Sequence, residues 1–152
     1  MALSLRLALI SALVPHGARV CDIGTDHGYL PIELIKRGDI KSVIATDIRE
    51  KPLANAAKNI KAAGVSGITL RLCNGLEGIA QNEADTIITA GMGGEVIASI
   101  LARSPLPTAA PAPLLIMQPT TSPEFLRRFL CENGFEIISD TALCENSKLY
   151  SI

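Results

Sequence analysis

Val20-Cys21-Asp22-Ile23-Gly24-Thr25-Asp26-His27-Gly28-Tyr29-Leu30-Pro31 is the stretch that decides the fold. Its apolar opening reads as a short strand, and two glycines then flank three polar residues in a turn. Pro31 suits the first turn of a helix, because it lacks only an amide that would be unpaired there anyway. A strand running through a glycine-bearing turn into a helix places a nucleotide-like ligand above the end of a parallel sheet. The acids narrow the choice of ligand. A dinucleotide fingerprint, G-x-G-x-x-G, needs small uncharged residues where the backbone meets a pyrophosphate. Here Asp22 stands at the strand end and Asp26 inside the loop. Two carboxylates repel a diphosphate and suit a cation.

The same alternation continues outward from this stretch. The pattern predicts strands over 19–23, 42–47, 68–73, 85–90 and 114–118. The first helix after the loop stops at Gly38. A second opens at Pro52, carries Leu53, Ala56, Ala57 and Ile60 on one face and ends at Gly64. Gly91-Met92-Gly93-Gly94 turns the fourth strand into a helix over 95–101. Residues 104–113 hold four of the nine prolines and read as an extended surface connector. Ser122 is expected to cap a helix with Pro123 at its first position, Phe125, Leu126, Phe129 and Leu130 as its apolar face and Gly134 as its exit. Two strands, 135–143 and 147–152, close the chain around a turn near Glu145-Asn146. The expected fold is α/β: a Rossmann-like, doubly wound sheet of seven strands, mostly parallel, with the last antiparallel.

Composition excludes several classes. With 152 residues, 48% apolar and 19% charged, the chain fits one well-buried domain. A net charge of −1 gives no general polyanion-binding field, so a nucleic acid would have to meet a local patch. Trp is absent, with two Tyr and three Phe, which disfavours an aromatic base-stacking platform. Cys21, Cys73, Cys131 and Cys144 lack C-x-x-C spacing, so no metal site is expected and the thiols read as buried groups in a reducing cytoplasm. The apolar segment 1–14 carries a lone Arg6 and is too short to span a bilayer. It reads as an amphipathic helix packed on the domain and lining its ligand site, with no membrane partner.

Ligands of open α/β sheets lie beyond the carboxyl ends of the strands, near the point where strand order reverses. The first strand end offers Asp22, Gly24, Thr25, His27 and Gly28. Its glycines allow close backbone approach, and Asp22 can hold an ammonium. The second offers Asp47, followed by Ile48 and standing 23 residues after Gly24, where a carboxylate accepts from both hydroxyls of a ribose. The third offers Asn74-Gly75, able to pair with an adenine edge or simply to turn. The fourth offers Ala90 and then Gly91, Met92, Gly93 and Gly94, which solve a tight turn or leave room for a second ligand. S-adenosylmethionine, a nucleoside with a sulfonium and an ammonium and no phosphate, suits the acids at 22, 26 and 47.

Asp26 is a candidate to orient an acceptor nitrogen or take its proton. His27 can serve catalysis or bond a carbonyl, and Tyr29 can stack on a base or pack beneath the loop. No Ser, Cys or Lys sits in a recognisable nucleophile setting. The competing readings are an NAD-dependent oxidoreductase, which the missing G-x-G-x-x-G disfavours, and a donor- or RNA-binding module without catalysis. A methyltransferase acting on another RNA or a small molecule is the third.

Asp22-Ile-Gly-Thr-Asp-His-Gly-Tyr-Leu-Pro31 resembles the bacterial tRNA adenine-22 N1-methyltransferase family. So do Asn74-Gly-Leu-Glu77, residues 85–90, Ala90-Gly-Met-Gly-Gly94 and Leu115-Ile-Met-Gln-Pro119. Leu5-Arg6-Leu7, Val14-Pro-His-Gly17 and Lys148-Leu-Tyr150 extend the likeness, in order and spacing, over the whole chain. The resemblance implies a class I S-adenosylmethionine-dependent methyltransferase domain over 1–152, acting in the cytoplasm as a monomer or homodimer on a tRNA D-arm adenine. By position it implies Asp22, Gly24, Thr25 and Gly28 on the methionine part of the donor. Asp47 and Ile48 then meet the ribose, with Asn74, Gly75 and Ala90 around the adenine. Asp26, His27 and Tyr29 act at the target base, with Gly91, Met92, Gly93, Gly94, Gln118 and Thr120 on the substrate side. The chain departs from the family at Gly28, often Ala, at Asp47, often Glu, and at Thr120, usually Asn. The family's helical, coiled-coil-like C-terminal domain is not expected within these residues.

Overall fold

The structure, a computed structural model, describes residues 3–152. Met1 and Ala2, at the head of the expected N-terminal helix, lie outside the described residues. Helix α1 (Leu5–Leu13) is capped by the Ser4 hydroxyl, which accepts from the Leu7 amide at 3.3 Å. There follow β1 (Arg19–Ile23), α2 (Tyr29–Arg37), β2 (Ser42–Asp47), α3 (Glu50–Ala63) and β3 (Ile68–Leu72). After a long loop come β4 (Thr86–Met92), α4 (Gly94–Ala102), a 3₁₀ turn (Leu106–Thr108), β5 (Leu114–Pro119) and α5 (Pro123–Glu132). A hairpin, β6 (Ala142–Glu145) and β7 (Lys148–Ser151), ends the chain.

Five strands form one parallel sheet in the order β3-β2-β1-β4-β5. The chain moves outward from β1 through β2 to β3, then returns to β4 on the other flank, so β1 and β4 border the switch point. The inner strands are buried nearly throughout, as continuous apolar runs require when helices cover both faces. β3 is an edge and alternates in exposure. Val20, Val43, Ile88 and Ile116 pack with Ile10 and Val14 of α1 and its junction and with Leu30 and Leu34 of α2. On the other face Cys21, Ile23 and Ile87 meet Ile100, while Ile97 and Leu101 of α4 meet Leu126 and Leu130 of α5. The Arg37 guanidinium donates to the carbonyls of Ser11 and Val14 at the end of α1, which fastens that helix to α2.

The expected single sheet of seven strands is corrected. Its last two members form a separate antiparallel pair, and residues 135–140 have no strand structure. Asn146 and Ser147 both take left-handed φ, 51° and 62°, which turns β7 back onto β6. Reciprocal bonds between Thr141 and Ile152 complete that pairing, so the backbone groups are satisfied locally and not along β5. Arg127 ties the hairpin to α5 through Asp140 at 2.6 Å and Ser151 at 3.1 Å. Ser122 precedes α5 with φ 50° and makes no side-chain cap bond, so its expected capping role is also corrected. Of the four cysteines only Cys21 is buried; Cys73 is half-buried, and Cys131 and Cys144 are exposed.

Candidate active site

A cleft of about 660 Å³ opens at the carboxyl ends of β1, β2, β3 and β4, within the usual range for small-molecule sites. Each of these strand ends contributes residues to the cleft wall. At β1 the Gly24 and Thr25 amides both donate to the Thr46 carbonyl at 2.8 Å, which pins the loop to β2. Gly24 takes φ 79°, and a Cβ there would meet the Met92 methyl at 2.2 Å. Gly28 takes φ 71° and lies against Ala56 of α3, whose Cβ would be 3.1 Å from an added methyl. The Asn59 amide donates to the His27 carbonyl at 2.8 Å. The loop is thus moulded on one face of α3.

Asp22 is buried at the cleft floor. Burial pushes its carboxyl up to about 6, and the Thr25 hydroxyl offsets only part of this. No ion pair to Asp22 occurs among the described residues, so the carboxylate is held ready for an external cation. Asp47 is likewise buried. Its Oδ1 accepts from the Arg49 amide at 2.9 Å, and Oδ2 has no hydrogen-bond partner among the described residues. Thr46 adds a buried hydroxyl in the cleft wall with no partner among the described residues. Exposed Ile48 and Val96 are rim residues, flat apolar cover of the kind a purine needs.

Asp26 is exposed at the rim with Oδ2 3.1 Å from His27 Nε2. The His27 and Tyr29 rings stack, 5.3 Å between centroids and 20° apart. The three candidate catalytic residues therefore form one unit: an acid beside a small aromatic platform.

The structure brings Asp22, Gly24, Thr25, Asp26, His27, Gly28, Tyr29, Asp47, Ile48, Asn74, Gly75, Ala90, Gly91 and Met92 into one cleft. Four expected substrate-side residues stand elsewhere. Gln118 is fully buried; its Oε1 accepts from the Gly91 amide at 3.0 Å and from Arg6 Nη1 at 2.6 Å. It is a support, out of reach of any ligand. Gly93 lies under Thr121, and a Cβ on Gly94 would come 2.3 Å from the Ser122 carbonyl oxygen. Those two glycines serve the packing of α4 against the start of α5. Thr120, exposed, donates its amide to the Met92 carbonyl at 2.8 Å. Asn74 is in the cleft, but its carboxamide is engaged by Arg103 at 3.3 Å and Glu77 at 3.2 Å. Sequence reasoning missed Arg49, Val96, Ile100 and Arg103. The signal for Val96 and Ile100 was their four-residue spacing on one face of α4.

A family profile described as a methyltransferase domain matches residues 3–152. The chain belongs to the methyltransferase domain family. This methyltransferase domain is 34% identical over 151 residues to the tRNA (adenine(22)-N(1))-methyltransferase of Bacillus subtilis. The match covers 99% of the chain and 63% of the relative, so the chain spans less than two thirds of that protein. Sp1610 of Streptococcus pneumoniae, solved in complex with S-adenosyl-L-methionine, superposes with a TM-score of 0.91 at 41% identity, over 99% of this chain and 71% of that one. TrmK of M. capricolum, solved with S-adenosyl-homocysteine, gives 0.87 at 32% identity, over 99% and 67%. The five-stranded sheet order and the acid-bearing β1 loop are thus those of a methyltransferase domain.

Proposed function

We propose that the chain is the catalytic domain of an S-adenosylmethionine-dependent tRNA methyltransferase that modifies N1 of adenine-22 in the cytoplasm. The observation that carries the donor assignment is buried, unpaired Asp22 one strand away from buried Asp47. Asp22, with no ion pair among the described residues, meets an ammonium, and Asp47, paired through Oδ1 with Arg49, meets a ribose through Oδ2. The left-handed Gly24 lets the same ligand approach the backbone closely, and the two acids repel a pyrophosphate. The acceptor assignment rests on the likeness to the Bacillus subtilis enzyme over the full chain.

S-adenosylmethionine, when bound, supplies an electrophilic methyl group on a sulfonium. The chain's own contribution is positioning, exclusion of water and charge. Adenine N1 carries an in-plane lone pair and no proton, so the attack needs no general base. The stacked His27–Tyr29 pair offers a face against which a base turned out of its stack can rest. Asp26 faces a base that becomes cationic as the bond forms, and its carboxylate stabilises that charge. His27, 3.1 Å from Asp26, fixes the carboxylate's orientation. Incubating the chain with the donor and an unmodified tRNA, then digesting to nucleosides for mass spectrometry, tests the reading. It predicts 1-methyladenosine; N6-methyladenosine alone, or no methylated nucleoside with donor bound, refutes it.

A further inference from the structure

Arg6 enters the cleft from α1 and is held from three directions. Its Nη1 donates to Gln118 Oε1 at 2.6 Å, its guanidinium carbon lies 5.6 Å from the centre of the Tyr150 ring, and its backbone amide donates to Glu145 Oε1 at 3.3 Å. Gln118 cannot turn away, because Oε1 also accepts from the Gly91 amide and Nε2 donates to the Pro119 carbonyl at 2.8 Å. The guanidinium nonetheless forms no ion pair among the described residues, and its buried Nε has no partner among them. A cation fixed in place without a counter-ion can receive an anion that arrives from outside, through its Nη groups and not through the buried Nε.

We propose that Arg6 is a binding residue for a backbone phosphate of the acceptor RNA, next to the nucleotide whose base enters the cleft. Position separates this from the donor's own carboxylate. The donor groups run from Asn74 at β3 through Asp47 at β2 to Asp22 at β1, whereas Arg6 stands over Gly91 and Gln118 at the ends of β4 and β5. In the observed order, β4 is one strand spacing, roughly 5 Å, and β5 two spacings, roughly 10 Å, beyond β1, on the side away from Asp47 and Asn74. Charge separates phosphate from base. A guanidinium against the reacting base would oppose the positive charge that methylation creates there, while a phosphate one bond system away gains from it. The inference rests on the reading of the acceptor as RNA.

Filter binding of an unmodified tRNA transcript over 50–300 mM salt, with calorimetric titration of S-adenosyl-homocysteine alongside, tests it. Each phosphate neutralised contributes about 0.7–0.9 to the slope of log K against log salt. Arg6→Gln should weaken tRNA binding about tenfold at low salt and lower that slope by about that amount, with the titration unchanged within twofold. Arg6→Lys should keep the slope and still lose several-fold in affinity, since an ammonium cannot match the fixed fork. A purely structural Arg6 would change melting temperature without changing the slope. An unchanged slope in Arg6→Gln, or undiminished affinity in Arg6→Lys should the first variant not fold, overturns the proposal. So does a loss that falls on the homocysteine titration. A wild-type chain that titrates normally yet binds no tRNA overturns it together with the RNA reading. Arg6-dependent tRNA binding without donor binding would support it and refute the donor assignment alone.

Discussion

Lowering the pH from 7 to 5 should cost this domain about tenfold in donor affinity, and Asp22 should be the cause. Its carboxyl is raised to about 6 by burial at the cleft floor. At pH 7 about nine-tenths of the free protein holds the ionised form a cationic donor requires, and at pH 5 about one-eleventh does. The ratio is about tenfold, or ~1.4 kcal/mol. The donor's ammonium stays charged throughout this range, so the dependence belongs to the protein. The sign for stability is opposite. A carboxyl raised above its unfolded value costs the fold nothing below about pH 4, and the cost is complete above about pH 6. Asp22→Asn should therefore stabilise the free domain at pH 7.5, by up to roughly 3 kcal/mol, while weakening the donor. Calorimetry at pH 5, 6 and 7, in two buffers of different ionisation enthalpy, reads both affinity and protons released, about half a proton at pH 6. A flat affinity between pH 7 and 5, or the same slope in Asp22→Asn, refutes the reasoning.

Other outcomes follow from the same geometry. Asp47→Ala should weaken donor binding by about 10–100-fold, the worth of a charge-assisted pair of hydrogen bonds, with little change in melting temperature. Gly94→Ala drives a methyl into the Ser122 carbonyl oxygen at 2.3 Å and should cost about 1–3 kcal/mol in denaturant titration, since backbone must shift. Glu83 is held down to about 2, first by the Arg71 guanidinium and then by the Ala80 amide. Its contribution is present above pH 4.5 and lost as pH falls towards 2, so Glu83→Gln should lower the melting temperature at pH 7 and not at pH 2. Exposure limits that loss to under about 1 kcal/mol.

β1 and β2 were legible because each carries a short apolar run leading to an acid at or next to its end, Val20-Cys21 before Asp22 and Val43-Ile44-Ala45 before Asp47, and helices on both faces demand apolar runs. Gly38, Gly64 and Gly134 marked helix ends because each takes a left-handed φ. The cleft residues at the strand ends were legible for a related reason: a cleft above a parallel sheet is lined by whatever ends each strand. What escaped depends on distant partners. Gln118 looks like a ligand group in the sequence, yet Arg6, 112 residues away, and the Gly91 amide occupy it. Asn74 loses its carboxamide to Arg103, 29 residues on. Gly93 and Gly94 read as space for a substrate, and only the approach of Thr121 and Ser122 shows that the space is already filled. The closing strands alternate in the right period, but period does not say whether a strand joins β5 or its own hairpin. Two left-handed residues, Asn146 and Ser147, settle that in favour of the hairpin.

The most direct test of the proposed activity is the transfer of label from methyl-labelled S-adenosylmethionine to two unmodified tRNA transcripts that differ only at position 22. A catalytic domain that modifies adenine-22 labels the transcript with adenine there and leaves the one with guanine at background. Equal labelling of both would contradict the acceptor assignment, and no labelling of either, with the donor shown to bind, would contradict the assignment of this chain as a catalytic domain.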